Sequence, residues 1–120
     1  MIRIAICDDE KHMSDHIRAM ASDFFRKKNR EIQLRTFLSG EELLNYDGQI
    51  DILFLDIQMN GVDGLETARK LRAGKFRGVL IFITVLKEMV FQSFEVQAYD
   101  YLVKPVDEKQ FEKTMDRLYA

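Results

Sequence analysis

Cysteine and proline are almost absent from this chain, which has one of each in 120 residues, Cys7 and Pro105. A lone cysteine cannot close an intramolecular disulfide, which excludes a disulfide-framed secreted scaffold and makes a reducing cytoplasm the simplest home. Cys7 ends the apolar run Ile4-Ala5-Ile6-Cys7, where it reads as a small buried hydrophobe. No run of 18 or more apolar residues occurs, and Asp8, Asp9 and Glu10 stand where a signal peptide needs its apolar core. Neither a membrane span nor an export signal is therefore expected. Repeats, low-complexity stretches and an obvious linker are missing as well. Nor does one sign of charge dominate: 18 basic and 20 acidic residues leave −2, too little for nucleic-acid binding to be the main activity. What remains is 47% hydrophobic and 32% charged, the balance of a globular chain. It forms one domain that can bury roughly two-thirds of the surface its unfolded form exposes, without a disulfide or structural metal.

Apolar runs of four to six residues rich in Ile, Val and Phe alternate with longer stretches of helical period, the pattern of βα units around a parallel sheet. Strands are expected at Ile4 to Cys7, Glu31 to Phe37, Asp51 to Leu55, Val79 to Ile83 and near Tyr99 to Val103. The second is weaker and suits a sheet edge. The fourth is apolar throughout, as a central strand covered on both faces should be. Met13, Ile17, Met20 and Phe24 line one face of a first helix, about Glu10 to Asn29. A second helix opens at a capping box, Ser39 with Glu42, and turns Leu43 and Leu44 inward. A third begins at Asp63, with Glu66 at the capping-box position and Leu65, Ala68 and Leu71 on its apolar side. A fourth runs from about Lys87 to Val96, with Met89 and Phe91 either core or part of a partner face. A last helix carries Phe111, Met115 and Leu118. Five βα units with right-handed crossovers predict an α/β fold, a flavodoxin-like doubly wound sheet of order 2-1-3-4-5.

In such a sheet, ligands bind outside the carboxyl ends of the strands. Four runs here end in residues that phosphate chemistry can use: Asp8-Asp9, Asp56, Thr84 and Lys104-Pro105. Three carboxylates this close repel one another unless a cation lies between them. Mg²⁺ suits the set, because it prefers oxygen ligands in octahedral geometry and takes one or two carboxylates together with phosphate oxygens. Lys104, if aimed into the crevice, neutralises carboxylate charge at rest and phosphoryl charge after transfer. Pro105 follows it, and an X-Pro bond is where a cis peptide is tolerated.

The pattern Asp8-Asp9-Glu10, Asp56-Ile57-Gln58-Met59 with Gly61 and Asp63-Gly64, Thr84, and Asp100-Tyr101-Leu102-Val103-Lys104-Pro105 resembles the receiver domain of bacterial two-component response regulators. The resemblance spans the whole chain, residues 1–120. Within that family, Ser93-Phe94-Glu95-Val96-Gln97-Ala98-Tyr99-Asp100-Tyr101-Leu102 is similar to the LytR/AlgR type of transcriptional regulator. The resemblance implies a phosphorylation-dependent signalling switch with Asp56 as phosphoacceptor for a sensor histidine kinase. It implies Mg²⁺ held by Asp9, Asp56 and the Gln58 backbone carbonyl, with Asp8 acting mainly through water. Thr84 and Lys104 hold phosphoryl oxygens, and Tyr101 is the aromatic switch that follows Thr84. It further implies a homodimer through the face of the fourth helix, fifth strand and fifth helix. The subfamily resemblance favours a C-terminal output domain, outside these residues, as the only route to DNA, with a single-domain regulator as the alternative, and the setting it implies is cytoplasmic without membrane contact. Two positions depart from the pattern: Asn60 replaces a usual proline, and Val85 a usual small residue.

Other readings compete. His12 and His16 have the i, i+4 spacing of a zinc pair, but no glutamate follows His12 and no third ligand is evident, so both are read as a solvated flank. Arg26-Lys27-Lys28 and Arg30 complement a helix dipole sooner than nucleic acid. An aspartate-nucleophile Mg²⁺-dependent phosphohydrolase uses the same acids, yet the connections are too short for a cap domain over a substrate pocket. A flavodoxin-like cofactor carrier needs backbone amides where Asp8-Asp9-Glu10 stand. A degenerate receiver would not retain the full acid, threonine and lysine set.

Overall fold

The computed structural model describes residues 1–59, 61–85 and 94–119. Five parallel strands, β1 (Ile2–Cys7), β2 (Ile32–Phe37), β3 (Ile52–Asp56), β4 (Val79–Thr84) and β5 (Asp100–Val103), form one sheet in the order β2-β1-β3-β4-β5. The order reverses between β1 and β3, so the crevice where the first and third strands end is the topological switch point. Helices α1 (Lys11–Lys27), α2 (Gly40–Leu44), α3 (Gly64–Ala73) and α4 (Glu108–Leu118) cover the sheet.

Period-two alternation divides the strand residues between two cores. Ile4, Ile6, Ile52, Phe54, Ile81, Ile83 and Leu102 face α1 and α4, where Ile17, Met20, Phe25, Phe111 and Met115 pack onto them. Ala5, Cys7, Leu53, Leu55, Leu80 and Phe82 face α2 and α3, against Leu43, Leu65 and Ala68. With both faces covered, β3 and β4 are apolar for nearly their whole length and their polar residues are pushed to the ends. Side chains cap three helices: Ser39 Oγ accepts from the Glu42 amide, Asp63 Oδ1 from the Glu66 amide and Asp107 Oδ1 from the Gln110 amide. Two closely packed glycines bind the layers together. A β-carbon on Gly64 would lie 2.1 Å from the Asp56 carbonyl oxygen, and one on Gly40 2.2 Å from Thr67 Oγ1.

Several expectations shift. Asp56 and Thr84 are the last residues of β3 and β4 and not the first of the loops, because each pairs in register with its neighbouring strand. The capping box at α2 is half formed: among the described residues Glu42 makes no return bond to the Ser39 amide. Leu44, Leu71 and Leu118 are only half-buried. Phe94–Val96 is a single 3₁₀ turn and not the end of an α-helix. The remainder of the helix expected from Lys87, with Met89 and Phe91, lies outside the described residues, as does Asn60. The cluster near the end of α1 is held within the molecule: Arg26 pairs with Asp23, Lys27 with Glu112, Lys28 with Asp116, and Arg30 lies over the Tyr119 ring.

Candidate functional site

The carboxyl edge of the sheet collects Asp8 after β1, Asp56 at the end of β3, Thr84 at the end of β4 and Lys104 after β5. Asp8 is 0% and Asp56 1% exposed, an extreme burial for carboxylates. Lys104 reaches in from β5 with its side chain only 11% exposed, and its Nζ stands 3.2 Å from Asp8 Oδ2 and 3.2 Å from Asp56 Oδ2. Glu10 Oε1 lies 3.6 Å from the same ammonium. The Gln58 amide donates to Asp56 Oδ1 at 3.3 Å and the Glu10 amide to Asp8 Oδ1 at 2.9 Å. The amide of Lys104 donates to the Thr84 carbonyl at 2.9 Å, which ties the lysine's backbone to the end of β4. Its bond to Pro105 is cis.

One ammonium does not offset this many carboxylates. Burial, and then the neighbouring Asp8 charge, push the Asp56 carboxyl up to about 7, although Lys104 and the Gln58 amide pull it the other way. Burial also works against the Lys104 charge, but Asp56 and Asp8 outweigh it and the ammonium is held above its ordinary value. Cys7, whose thiol contacts the Ser39 carbonyl and Met59 Sδ, is pushed up to about 12 by burial and by Asp8 and Asp56. It is an inert thiol at neutral pH.

The chemistry of the donor set fits a hard divalent cation. Asp8, Asp9 and Glu10 each offer an oxygen within 4.8 Å of the others. Among the described residues Asp8 Oδ2 is buried with no well-directed hydrogen bond, holding only its charge contact with Lys104. A buried carboxylate oxygen left this way is costly unless a cation satisfies it.

The family model for the response regulator receiver domain matches residues 4–116. The chain belongs to this family. Its members are two-component switches that respond to phosphorylation, and receiver domains generally bind Mg²⁺ at such an acidic pocket. Among relatives of this receiver domain, the transcriptional regulatory protein BtsR of Escherichia coli is 34% identical over 125 residues, spanning 98% of this chain and 48% of BtsR. Sensory transduction protein LytT of Bacillus subtilis is 29% identical over 119 residues, spanning 98% of this chain and 48% of LytT. The chain thus spans about half the length of these curated relatives, a match consistent with the LytR/AlgR type. A solved structure of the response regulator TrrA from Thermotoga maritima in complex with Mg²⁺-BeF superposes with a TM-score of 0.75 at 28% identity, covering 98% of this chain and 99% of that one.

Asp8, Asp56 and Lys104 of the receiver domain are in direct contact, and Asp9 joins Asp8 and Glu10 in the oxygen cluster. Thr84 is buried at the same edge, beside Val103 in register. Tyr101 is half-buried, packed against the cluster that holds Phe82 and Val96. Gln58 is exposed next to Asp56, and Val85 is exposed by 54% at the rim. The sequence reading named Glu10 within the acidic pattern but gave it no role, and the structure brings it to Lys104. It also missed Met59 against Cys7, and Arg72, whose partners are backbone carbonyls and leave no trace in residue types. Among the described residues no helix is long and apolar enough to cross a membrane.

Proposed function

We propose that this receiver domain takes a phosphoryl group from the phosphohistidine of a sensor histidine kinase onto a carboxylate oxygen of Asp56. The observation that carries this reading is Lys104 Nζ at 3.2 Å from both Asp56 and Asp8 in a buried crevice. The Asp56 oxygen forms the new bond to phosphorus as the phosphorus–nitrogen bond of the donor breaks, and the leaving imidazole keeps the electron pair. Such a transfer asks the protein for positioning and charge neutralisation. Asp8, Asp9, Asp56 and the backbone carbonyl of Gln58 would hold Mg²⁺, which when bound supplies positive charge to the phosphoryl oxygens. Lys104 contributes a charge-assisted contact to one phosphoryl oxygen and Thr84 a hydroxyl to another.

After transfer, Thr84 moves towards the phosphoryl oxygen and Tyr101 follows into the space it leaves. The half-buried setting of Tyr101 supports a ring able to move in either direction. The output is control of transcription through a domain beyond these residues, in the cytoplasm. A homodimer through β5, α4 and the segment before β5 carries the response. A phosphohydrolase reading is not favoured, because the family is one of regulators.

The test is the intact mass after exposure to acetyl phosphate with Mg²⁺. Wild type is expected to gain one phosphoryl group that maps to Asp56, and Asp56→Asn none. A label on another residue overturns the assignment. In the labelled protein the Tyr101 ring resonances shift, and Thr84→Ala removes that shift.

A further inference from the structure

His16 stands on the exposed side of α1, and nothing in its sequence context set it apart from a solvated flank. Its Nε2, however, is 2.8 Å from the carbonyl oxygen of Val106. A carbonyl oxygen only accepts, so Nε2 carries the hydrogen, in the neutral ring or the imidazolium. Val106 is two residues beyond Lys104, and its side chain is 2% exposed in the core with Ile6, Ile17 and Phe111.

The backbone that delivers Lys104 to the site is therefore pinned on two flanks. On one, the Lys104 amide donates to the Thr84 carbonyl at 2.9 Å. On the other, α1 holds the Val106 carbonyl through His16. Pro105 lies between and has no amide hydrogen to add a third anchor. Among the described residues, the His16 contact is the one hydrogen bond made by the backbone of Pro105 and Val106.

We propose that His16 is a positioning residue for Lys104: by holding the Val106 carbonyl it fixes the Lys104-Pro105-Val106 loop so that the ammonium stays between Asp8 and Asp56. The inference rests on the reading that Lys104 acts on the phosphoryl group. A lysine that must face two carboxylates at once tolerates little displacement, and small errors of placement in transfer reactions are costly in rate. His12, one turn earlier on α1 and exposed, has no such contact among the described residues and serves as the internal control.

The experiment measures the rate of Asp56 labelling by acetyl phosphate at saturating Mg²⁺, read by intact mass. His16→Leu keeps bulk and loses the donor, whereas His16→Gln places an amide donor where Nε2 was. His16→Leu is expected to slow labelling by about tenfold, the upper range for one lost neutral hydrogen bond. His16→Gln restores the rate to within about twofold by the same reckoning, and His12→Leu matches wild type. In a Lys104→Ala background, His16→Leu adds nothing further, because the two residues act through one contact. Equal rates for wild type and His16→Leu, equal slowing by Leu and Gln, or a full additional loss in the Lys104→Ala background each overturn the role of His16. Absence of label on wild type, or a Lys104→Ala variant that labels at the wild-type rate, instead overturns the role given to Lys104, and the inference with it.

Discussion

The molecule partly buries a cation at each edge of its sheet, and the two are treated in opposite ways. At the amino edge, Arg72 of α3 donates to four backbone carbonyls, those of Phe76, Gly78, Val96 and Gln97, at 2.8 to 3.1 Å. Its guanidinium also lies 5.0 Å over the Phe76 ring. Burial pulls Arg72 below its ordinary value, and no carboxylate contributes to that shift. At the carboxyl edge, Lys104 faces carboxylates that it cannot fully satisfy, and among the described residues Asp8 Oδ2 is left without a directed hydrogen bond. A cation saturated by neutral dipoles fixes structure: Arg72 ties α3 to the turns that lead into β4 and β5. A cation outnumbered by acids leaves negative charge that a metal ion or an incoming group can answer. Scaffold and site differ in how completely charge is satisfied, more than in how deeply it is buried.

That contrast can be broken most directly by removing the divalent ion. Excess chelator should lower Asp56 labelling by at least about a hundredfold, since the uncompensated acids then repel the donor's phosphate. Labelling that persists in chelator contradicts a metal-assisted site. At the other edge, Arg72→Met should cost about 4 kcal/mol in a denaturant titration, from roughly 1 kcal/mol for each of the four carbonyls it satisfies. The folded variant should still be labelled at Asp56, and a site that fails with Arg72 would erase the proposed division of labour.

A smaller effect has the opposite sign. The folded Asp56 carboxyl is held up at about 7 against 3.8 ordinarily, so between these values the folded protein keeps a proton that the unfolded chain has released. Stability from this group is present at low pH and declines as pH rises through that window. Asp56→Asn cannot titrate, and without Mg²⁺ it should be more stable than wild type by no more than about 4 kcal/mol at pH 8, an advantage that fades as the pH falls towards about 4. Identical pH profiles for the two proteins would remove the electrostatic strain assigned to the site. The smallest effect concerns Val85, exposed at the rim. If its branched side chain narrows the path of water to phosphorylated Asp56, Val85→Ala should shorten the phosphoryl lifetime by about twofold, with Mg²⁺ affinity unchanged. Equal lifetimes would leave the rim without a role.

The lengths and periods of the apolar runs were enough to predict five parallel strands, because a strand covered on both faces has little choice but to be apolar, and right-handed crossovers then favoured the order 2-1-3-4-5 that the sheet adopts. Asp8, Asp56, Thr84 and Lys104 were legible for the same reason: polar residues that end apolar strands of one parallel sheet must meet at one edge. Element ends were less legible. Asp56 and Thr84 belong to their strands because partner strands extend the pairing, a fact no local propensity carries. Long-range contacts to backbone were invisible from residue types, since a carbonyl is present at every position. Arg72 therefore looked like any basic residue near a helix end, and His16 like a solvated flank.

By itself, then, the sequence determined the layers and which polar side chains end the apolar strands, because burial and strand period are written in residue type. Only the tertiary structure decided how the charge is shared: one lysine stands 3.2 Å from each of two buried aspartates, with the acid between the strands held near neutral pH. Those are properties of distance and desolvation, which depend on where separated segments come to rest and not on what any one of them contains.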